Sequence, residues 1–265
     1  MIKVILLTMA ALILSCHSGL VNTVKTANAR GLENPNKTKK FPVKSFVKLR
    51  KTLHIKECKK MNMSTPCIKG EKFRSIGSGV SIGMSDGGSL IVTAGHVCQT
   101  ELSPQTASLI EDHEVIIEAI NLKNTKRKSI IVSSVHVNSG PDLCLLYAGG
   151  LKTEGVLLSE NAPKVGDKVY NIAAPAGIFH PPTVPIVQGI FSGPINKYNS
   201  MITIPAVGGS SGSAIIDEDM RLVGILFATH PAFNTVTLCS SYDTTVIFLN
   251  HALKKFRQAQ INVMN

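Results

Sequence analysis

Three short stretches hold residue types that could make and break acyl bonds. The first is Gly208-Gly209-Ser210-Ser211-Gly212-Ser213. A serine set among glycines sits in a tight turn, with its hydroxyl exposed and neighbouring backbone N–H groups free to converge on one point. Acyl transfer needs that arrangement, a nucleophile beside preorganised donors for a developing oxyanion. The second stretch, Thr93-Ala94-Gly95-His96, ends an apolar run, and the third, Asp142-Leu143-Cys144-Leu145-Leu146, opens another. Ser211 alone is a weak nucleophile, because its hydroxyl stays protonated at neutral pH. An imidazole at His96 could take that proton and return it to a leaving group, while a carboxylate at Asp142 held the other ring nitrogen. Ser210 and Ser213 compete for the nucleophile's place, but only Ser211 has Gly209 two before it and Gly212 directly after. Taken singly, a histidine after a strand or an aspartate after Ser139-Gly140-Pro141 is an ordinary structural residue. His136, His180 and His230 read as surface or structural.

The elements around these residues read as strands. From Val43 onward, short runs with β-branched residues recur between clusters of Gly, Asn, Asp and Ser. They include Ser78–Met84, Ser89–Thr93, Val115–Ile120, Ile130–Val137, Leu143–Tyr147, Lys168–Ala173, Val184–Phe191, Met201–Ile204, Ala214–Ile216, Leu222–Phe227 and Thr235–Leu238. Such spacing, with few helical patterns, predicts an all-β sandwich or pair of barrels. One amphipathic helix is predicted at the end, capped by Thr244 or Thr245, with Val246, Leu249, Leu253 and Phe256 on one face. With no Trp and 5% aromatic residues, the core must be built from Val, Ile, Leu and Ala.

The start of the chain reads differently. Lys3 and the apolar run from Val4 to Leu14, broken only by Thr8, form an export signal over residues 1–16, too short to span a bilayer. Ile13-Leu14-Ser15-Cys16 resembles a bacterial lipobox, whose cysteine is lipidated after cleavage. An ordinary signal cleaved nearby is the alternative, and Ala27-Asn28-Ala29 is a more distant cleavage candidate. Residues 17–42, rich in Asn, Lys, Thr and Pro, read as a basic linker. Residues 16–72 hold 14 Lys/Arg against 3 Asp/Glu, and residues 73–265 hold 13 against 14. The net charge of +11 therefore reads as an N-terminal basic arm on a nearly neutral domain, suited to an anionic membrane surface or to plain solvation. No aromatics interleave with the lysines as base stacking requires, which speaks against nucleic acid. Cys58 and Cys67 flank a polar loop and could staple a hairpin, and Cys98 and Cys144 belong to the surroundings of the candidate site. No zinc-type cysteine spacing occurs, and neither a metal nor another cofactor is expected.

Further motifs resemble one family. Ile76-Gly77-Ser78-Gly79-Val80-Ser81-Ile82, then Leu90-Ile91-Val92-Thr93-Ala94-Gly95-His96-Val97, are similar to the strand, hairpin and histidine motif of the trypsin-like peptidases in their bacterial Deg-type form. Val165-Gly166-Asp167-Lys168-Val169 with Ile172, Pro175 and Gly177 resembles that family's next conserved run, and Gln188-Gly189-Ile190-Phe191-Ser192 its following strand. Gly209-Ser210-Ser211-Gly212-Ser213-Ala214 resembles its nucleophile loop, and Leu222-Val223-Gly224-Ile225 the strand beside bound substrate. Six motifs stand in the family's order over roughly residues 73–250. The order His96, Asp142, Ser211 is also that of base, orienter and nucleophile in chymotrypsin-type enzymes. The sequence departs at Ser210, where Asp or Asn is usual, at Ser213-Ala214 after Gly212, and at Gly95, where Ala is common. No strand hydroxyl that would support the aspartate can be placed.

The resemblance implies two six-stranded antiparallel barrels with a C-terminal helix, filling residues 43–262 and divided near 150–165. It implies a serine endopeptidase acting on proteins or peptides through a His96–Asp142–Ser211 triad and an acyl-enzyme, with the backbone N–H groups of Gly209 and Ser211 as the oxyanion hole. Pro205, six before the nucleophile, takes the place that forms the base of the specificity pocket in trypsin relatives, and Leu226 stands two after Gly224 on the substrate strand. No acid among these residues could pair a cation, so cleavage after small or apolar residues is expected. The alternatives are an idle fold of this type that binds surfaces through its basic arm, and an esterase using the same triad. The chain after this region is too short for a PDZ domain.

Overall fold

Strands that are apolar at every position must be buried on both faces, and this chain places such strands where two sheets meet. The computed structural model describes residues 40–59, 67–85, 87–230 and 232–264, with side chains up to residue 261. The expected export signal and most of the expected linker lie outside the described residues. The folded body runs from Phe41 onward.

The N-terminal half contains β1 (Phe46–Cys58), β2 (Lys72–Ser85), β3 (Gly88–Thr93), β4 (Ile110–Ile120), β5 (Lys126–Lys128), β6 (Ile130–His136) and β7 (Asp142–Ala148). They form an antiparallel sheet in the order β5-β4-β1-β2-β3-β7-β6. The outermost strands, β5 and β6, are separated in sequence by Ser129 alone. They are in effect one strand that leaves β4 and joins β7, so the sheet curls round into a six-stranded barrel closed by chain continuity. The C-terminal half contains β8 (Lys168–Ile172), β9 (Ile186–Pro194), β10 (Asn199–Ile202), β11 (Ala214–Ile216), β12 (Leu222–His230) and β13 (Phe233–Ser240). These close a barrel by hydrogen bonds, in the order β10-β13-β12-β11-β8-β9. The all-β, double-barrel expectation agrees with this architecture.

Side-chain alternation explains how the halves join. On β7, Cys144 and Leu146 fill the first barrel while Leu143 and Leu145 face outward into a shared layer. On β11, Ile215 fills the second barrel while Ala214 and Ile216 enter the same shared layer. Continuous apolar runs thus serve two cores at once. The C-terminal helix (Tyr242–Met264) adds Phe248, Leu249, Ala252 and Phe256 to that layer, and Phe256 packs on Tyr147 with ring centroids 5.3 Å apart. Its cap differs from the expected threonines. Ser241 Oγ accepts from the Thr244 N–H at 3.3 Å, and Thr245 Oγ1 instead bonds the Ser240 hydroxyl and the Ser241 carbonyl.

The basic arm is also corrected. Lys44, Arg50 and Lys56 lie in the folded body, on or just before β1, and pair with Glu154, Glu118 and Glu114. Part of the charge assigned to a tether is therefore barrel surface, paired with acids on β4 and in the segment after β7. Cys58 and Cys67 form the expected disulfide, and a second disulfide joins Cys98 to Cys144. Cys239 is free and buried, and burial pushes its thiol up to about 12, so it is chemically quiet. Among the described residues no helix is long and apolar enough to cross a membrane, and no cluster could hold a metal ion.

Candidate active site

His96 stands on a single helical turn, Gly95–Cys98, directly after β3. The turn is tied down from three sides. The Cys98–Cys144 disulfide bonds it to β7. The Lys51 ammonium, its pKa lowered by burial, donates to the carbonyl oxygens of His96 (3.3 Å) and Gln99 (3.1 Å). Gly95 lets β6 and β7 approach, for a Cβ there would collide with the Val135 carbonyl and lie 2.7 Å from Asp142 Oδ1.

Asp142 opens β7, with its side chain only 5% exposed. Its Oδ2 accepts from His96 Nδ1 at 2.7 Å, and its Oδ1 accepts from the His96 backbone N–H at 2.8 Å. Oδ1 also receives a contact that the sequence reading left out, His136 Nδ1 at 2.8 Å. Burial alone would push the Asp142 carboxyl up, but the hydrogen bonds and charge of His96, with the His136 contact, outweigh it and hold the group below the usual carboxylate value. An ionised carboxylate can only accept, so both rings must carry their Nδ1 proton, and the Nε2 of a neutral His96 is left with a lone pair. That is the tautomer a general base requires.

Ser211 comes from the other barrel, in the loop between β10 and β11. Gly209 (φ +96°) and Gly212 (φ +87°) both occupy the left-handed region, and a Cβ on Gly209 would lie 2.5 Å from the Ala174 carbonyl. Gly212 nests against Thr93 and Ala94, just ahead of the His96 turn, so closely that a Cβ would strike Thr93 Oγ1 and the Ser78 carbonyl. The Ser211 loop and the His96 turn are thus held side by side. The Ser211 hydroxyl makes a loose 3.5 Å contact to the Phe227 carbonyl, and no hydrogen bond joins it to His96.

The loop leaves three of its amides without an acceptor among the described residues. Ser210 N–H donates to Val207, Gly212 N–H to Leu226 and Ser213 N–H to Ser210, whereas the N–H groups of Gly208, Gly209 and Ser211 meet no acceptor among the described residues. Ser78 on β2 anchors this loop across the barrel boundary. Its hydroxyl donates to the Gly209 carbonyl at 2.8 Å and accepts from the Ala174 N–H at 2.9 Å, and its backbone N–H donates to the Ser211 carbonyl at 2.8 Å.

Beside Ser211 lies a cavity of about 200 Å³ lined by Ala206, Val207, Gly208, Ser211, Leu226, Phe227, Ala228 and Thr229. Of the three residues expected on the substrate side, Leu226 lines this cavity and Pro205 and Gly224 do not. Pro205 is exposed and the next residue, Ala206, turns inward. Gly224 packs instead on β13, where a Cβ would meet the Ser240 carbonyl at 2.6 Å. An irregularity in the β12–β13 pairing between Leu226 and Ala228 carries the pocket wall further along the strand than a simple count from Gly224 suggests.

The trypsin-like peptidase domain model matches residues 77–225, more than half of the 265-residue chain. The chain belongs to that family. This trypsin-like peptidase is accordingly a serine endopeptidase, a hydrolase of protein or peptide substrates. A search of curated protein sequences finds no match. Among solved structures, the peptidase is similar in fold to the serine endoprotease from Yersinia pestis, with 18% identity and a TM-score of 0.55 over 84% of this chain and 68% of that one. It is similar also to the active form of the Rv3671c protease from M. tuberculosis, with 14% identity and a TM-score of 0.57 over 79% and 81% of the two chains. The inactive serine-to-alanine form of Rv3671c gives 13% identity and a TM-score of 0.53 over 80% and 87%.

Proposed function

We propose that Ser211 is the nucleophile, His96 the general base and acid, and Asp142 the residue that orients His96. The observation that carries this reading is the double attachment of Asp142 to His96, through the ring at 2.7 Å and the backbone at 2.8 Å, on the turn that abuts the nucleophile loop. Rotation of the Ser211 side chain would exchange its contact with Phe227 for one with His96 Nε2. The serine oxygen would then bond the scissile carbonyl carbon as its proton passes to Nε2, while the free amides of Gly209 and Ser211 receive the oxyanion. Collapse of the intermediate breaks the C–N bond, His96 returns the proton to the leaving amine, and water repeats the cycle on the acyl-enzyme.

The lining of the cavity supports cleavage after small or medium apolar residues. It holds no charged side chain, and a buried unpaired cation or carboxylate would be strongly disfavoured there. Two disulfides support an exported enzyme in an oxidising compartment, with Cys16 as a lipid attachment point that would hold it at a membrane surface.

The reading is tested by fluorophosphonate labelling and hydrolysis of a denatured protein. Ser211→Ala and His96→Ala should each lose nearly all turnover, and the double variant should be scarcely worse, because triad members act as a unit. Near-normal cleavage by Ser211→Ala would overturn it. A peptide library with dominant preference for Arg, Lys or Glu before the cleaved bond would overturn the specificity.

A further inference from the structure

We propose that His136 is a positioning residue of the triad, a second imidazole that locks the orientation of Asp142. The inference rests on the catalytic reading above and deepens it.

His136 closes β6 and Asp142 opens β7, and the two are direct partners in the antiparallel register. Residues opposite one another on one face of such a pair have their Cβ atoms within about 5.5 Å, so the contact is built into the hairpin. The His136 ring reaches Asp142 Oδ1 at 2.8 Å while the His96 ring holds Oδ2 at 2.7 Å. The rings stand edge to face, centroids 6.2 Å apart and inclined by 64°.

Each ring fixes a different oxygen, and that division gives His136 a role in turnover. Without His136, Oδ1 keeps only the His96 backbone N–H, on the same residue it must orient. The carboxylate plane could then twist about Cβ–Cγ, and Oδ2 would drift out of line with Nδ1. With His136 in place the plane is defined from the strand side, by a group that does not move with the His96 turn. His136 also covers the carboxylate, which stays almost fully buried although the rings of His96 and His136 are 34% and 41% exposed. The orientation matters most when His96 carries the serine proton and is an imidazolium, so the loss should fall on turnover rather than on substrate binding.

The test uses the full chain and a fluorogenic peptide ending in alanine or valine, with Ser211→Ala as reference. His136→Ala should lower kcat about 10- to 100-fold, the weight of one hydrogen bond to a charged group felt in the transition state. KM should stay within about threefold. His136→Asn keeps a side-chain N–H donor close to the position of Nδ1 and should recover kcat to within about threefold of wild type. His136→Val, strand-favouring and without a donor, should repeat the loss and serves if the alanine variant folds poorly. Wild-type kcat in the donor-free variants, or an asparagine variant as slow as alanine, overturns the role of His136 and leaves the triad standing. Residual wild-type turnover in Ser211→Ala would instead overturn the triad, and this inference with it.

Discussion

Ser78 makes the sharpest demand on the reasoning, since its hydroxyl joins the two barrels at the nucleophile loop. Ser78→Ala deletes both a donor to the Gly209 carbonyl and the acceptor of the Ala174 N–H, at a fully buried position. An orphaned buried N–H costs about 1–3 kcal/mol, and the lost bond to the carbonyl about 1 kcal/mol more. The expected destabilisation is about 2–4 kcal/mol, or roughly 5–15 °C in melting midpoint for a domain of this size. The kinetic effect should exceed what unfolding explains. Gly209 carries one of the two amides proposed to receive the oxyanion, and misplacing a single oxyanion donor costs about 10²–10³ in turnover, so a partial displacement should cost about 10- to 100-fold in kcat at 25 °C, where the variant remains folded. Ser213→Ala is the control, because that hydroxyl is as buried but bonds Asn171, which retains the Ala214 carbonyl as partner. It should lower the melting midpoint slightly and leave kcat within about threefold. Ser78→Ala with wild-type melting and wild-type kcat would refute the argument.

Two further outcomes follow from the same geometry. The Asp142 carboxyl is held below its usual value in the folded protein, so its contribution to stability is present above the unfolded carboxylate pKa, about 4, and is lost as pH falls through the folded value. The stability gap between wild type and Asp142→Asn, measured by urea titration, should therefore be widest near neutral pH and close below about pH 4; a gap that widens on acidification would contradict this. The disulfide Cys98–Cys144 closes a separation of 46 residues and Cys58–Cys67 one of 9, so replacing both cysteines by alanine should cost about 4 kcal/mol in the first case and about 2.6 kcal/mol in the second. Only loss of the first should also slow turnover, since it fastens the His96 turn to the Asp142 strand, and equal effects on kcat would count against that role.

Much of this was legible in residue order. The strands announced themselves as short apolar runs, and Ile76–Ile82 with Leu90–Val97 stood out as similar to the family's strand, hairpin and histidine motif. His136 was read as surface or structural because a lone histidine at a strand end carries no signal by type. The available signal was register: five residues, Val137 to Pro141, turn the chain between His136 and Asp142, which is a hairpin length that sets the two opposite each other. The lining of the cavity beside Ser211 is hard to read from residue order for a similar reason. Counting six back from Ser211 lands on Pro205, but which of two successive residues turns inward depends on local alternation, and the irregular pairing of β12 shifts the opposite wall as well. The helix cap was misplaced because three polar side chains, Ser241, Thr244 and Thr245, compete at one terminus and only backbone geometry chooses among them.

The closure of the first barrel has a consequence for an enzyme that works among unfolded chains. An extended peptide readily adds to any sheet with an open side, and a free edge is a standing invitation to clogging and co-aggregation. Here the chain crosses from one side of the sheet to the other through Ser129, and the second barrel is sealed by its own hydrogen bonds. Joining the two ends of the sheet in this way leaves fewer unpaired edges for extended substrate segments to add to than a flat sheet of the same strands would.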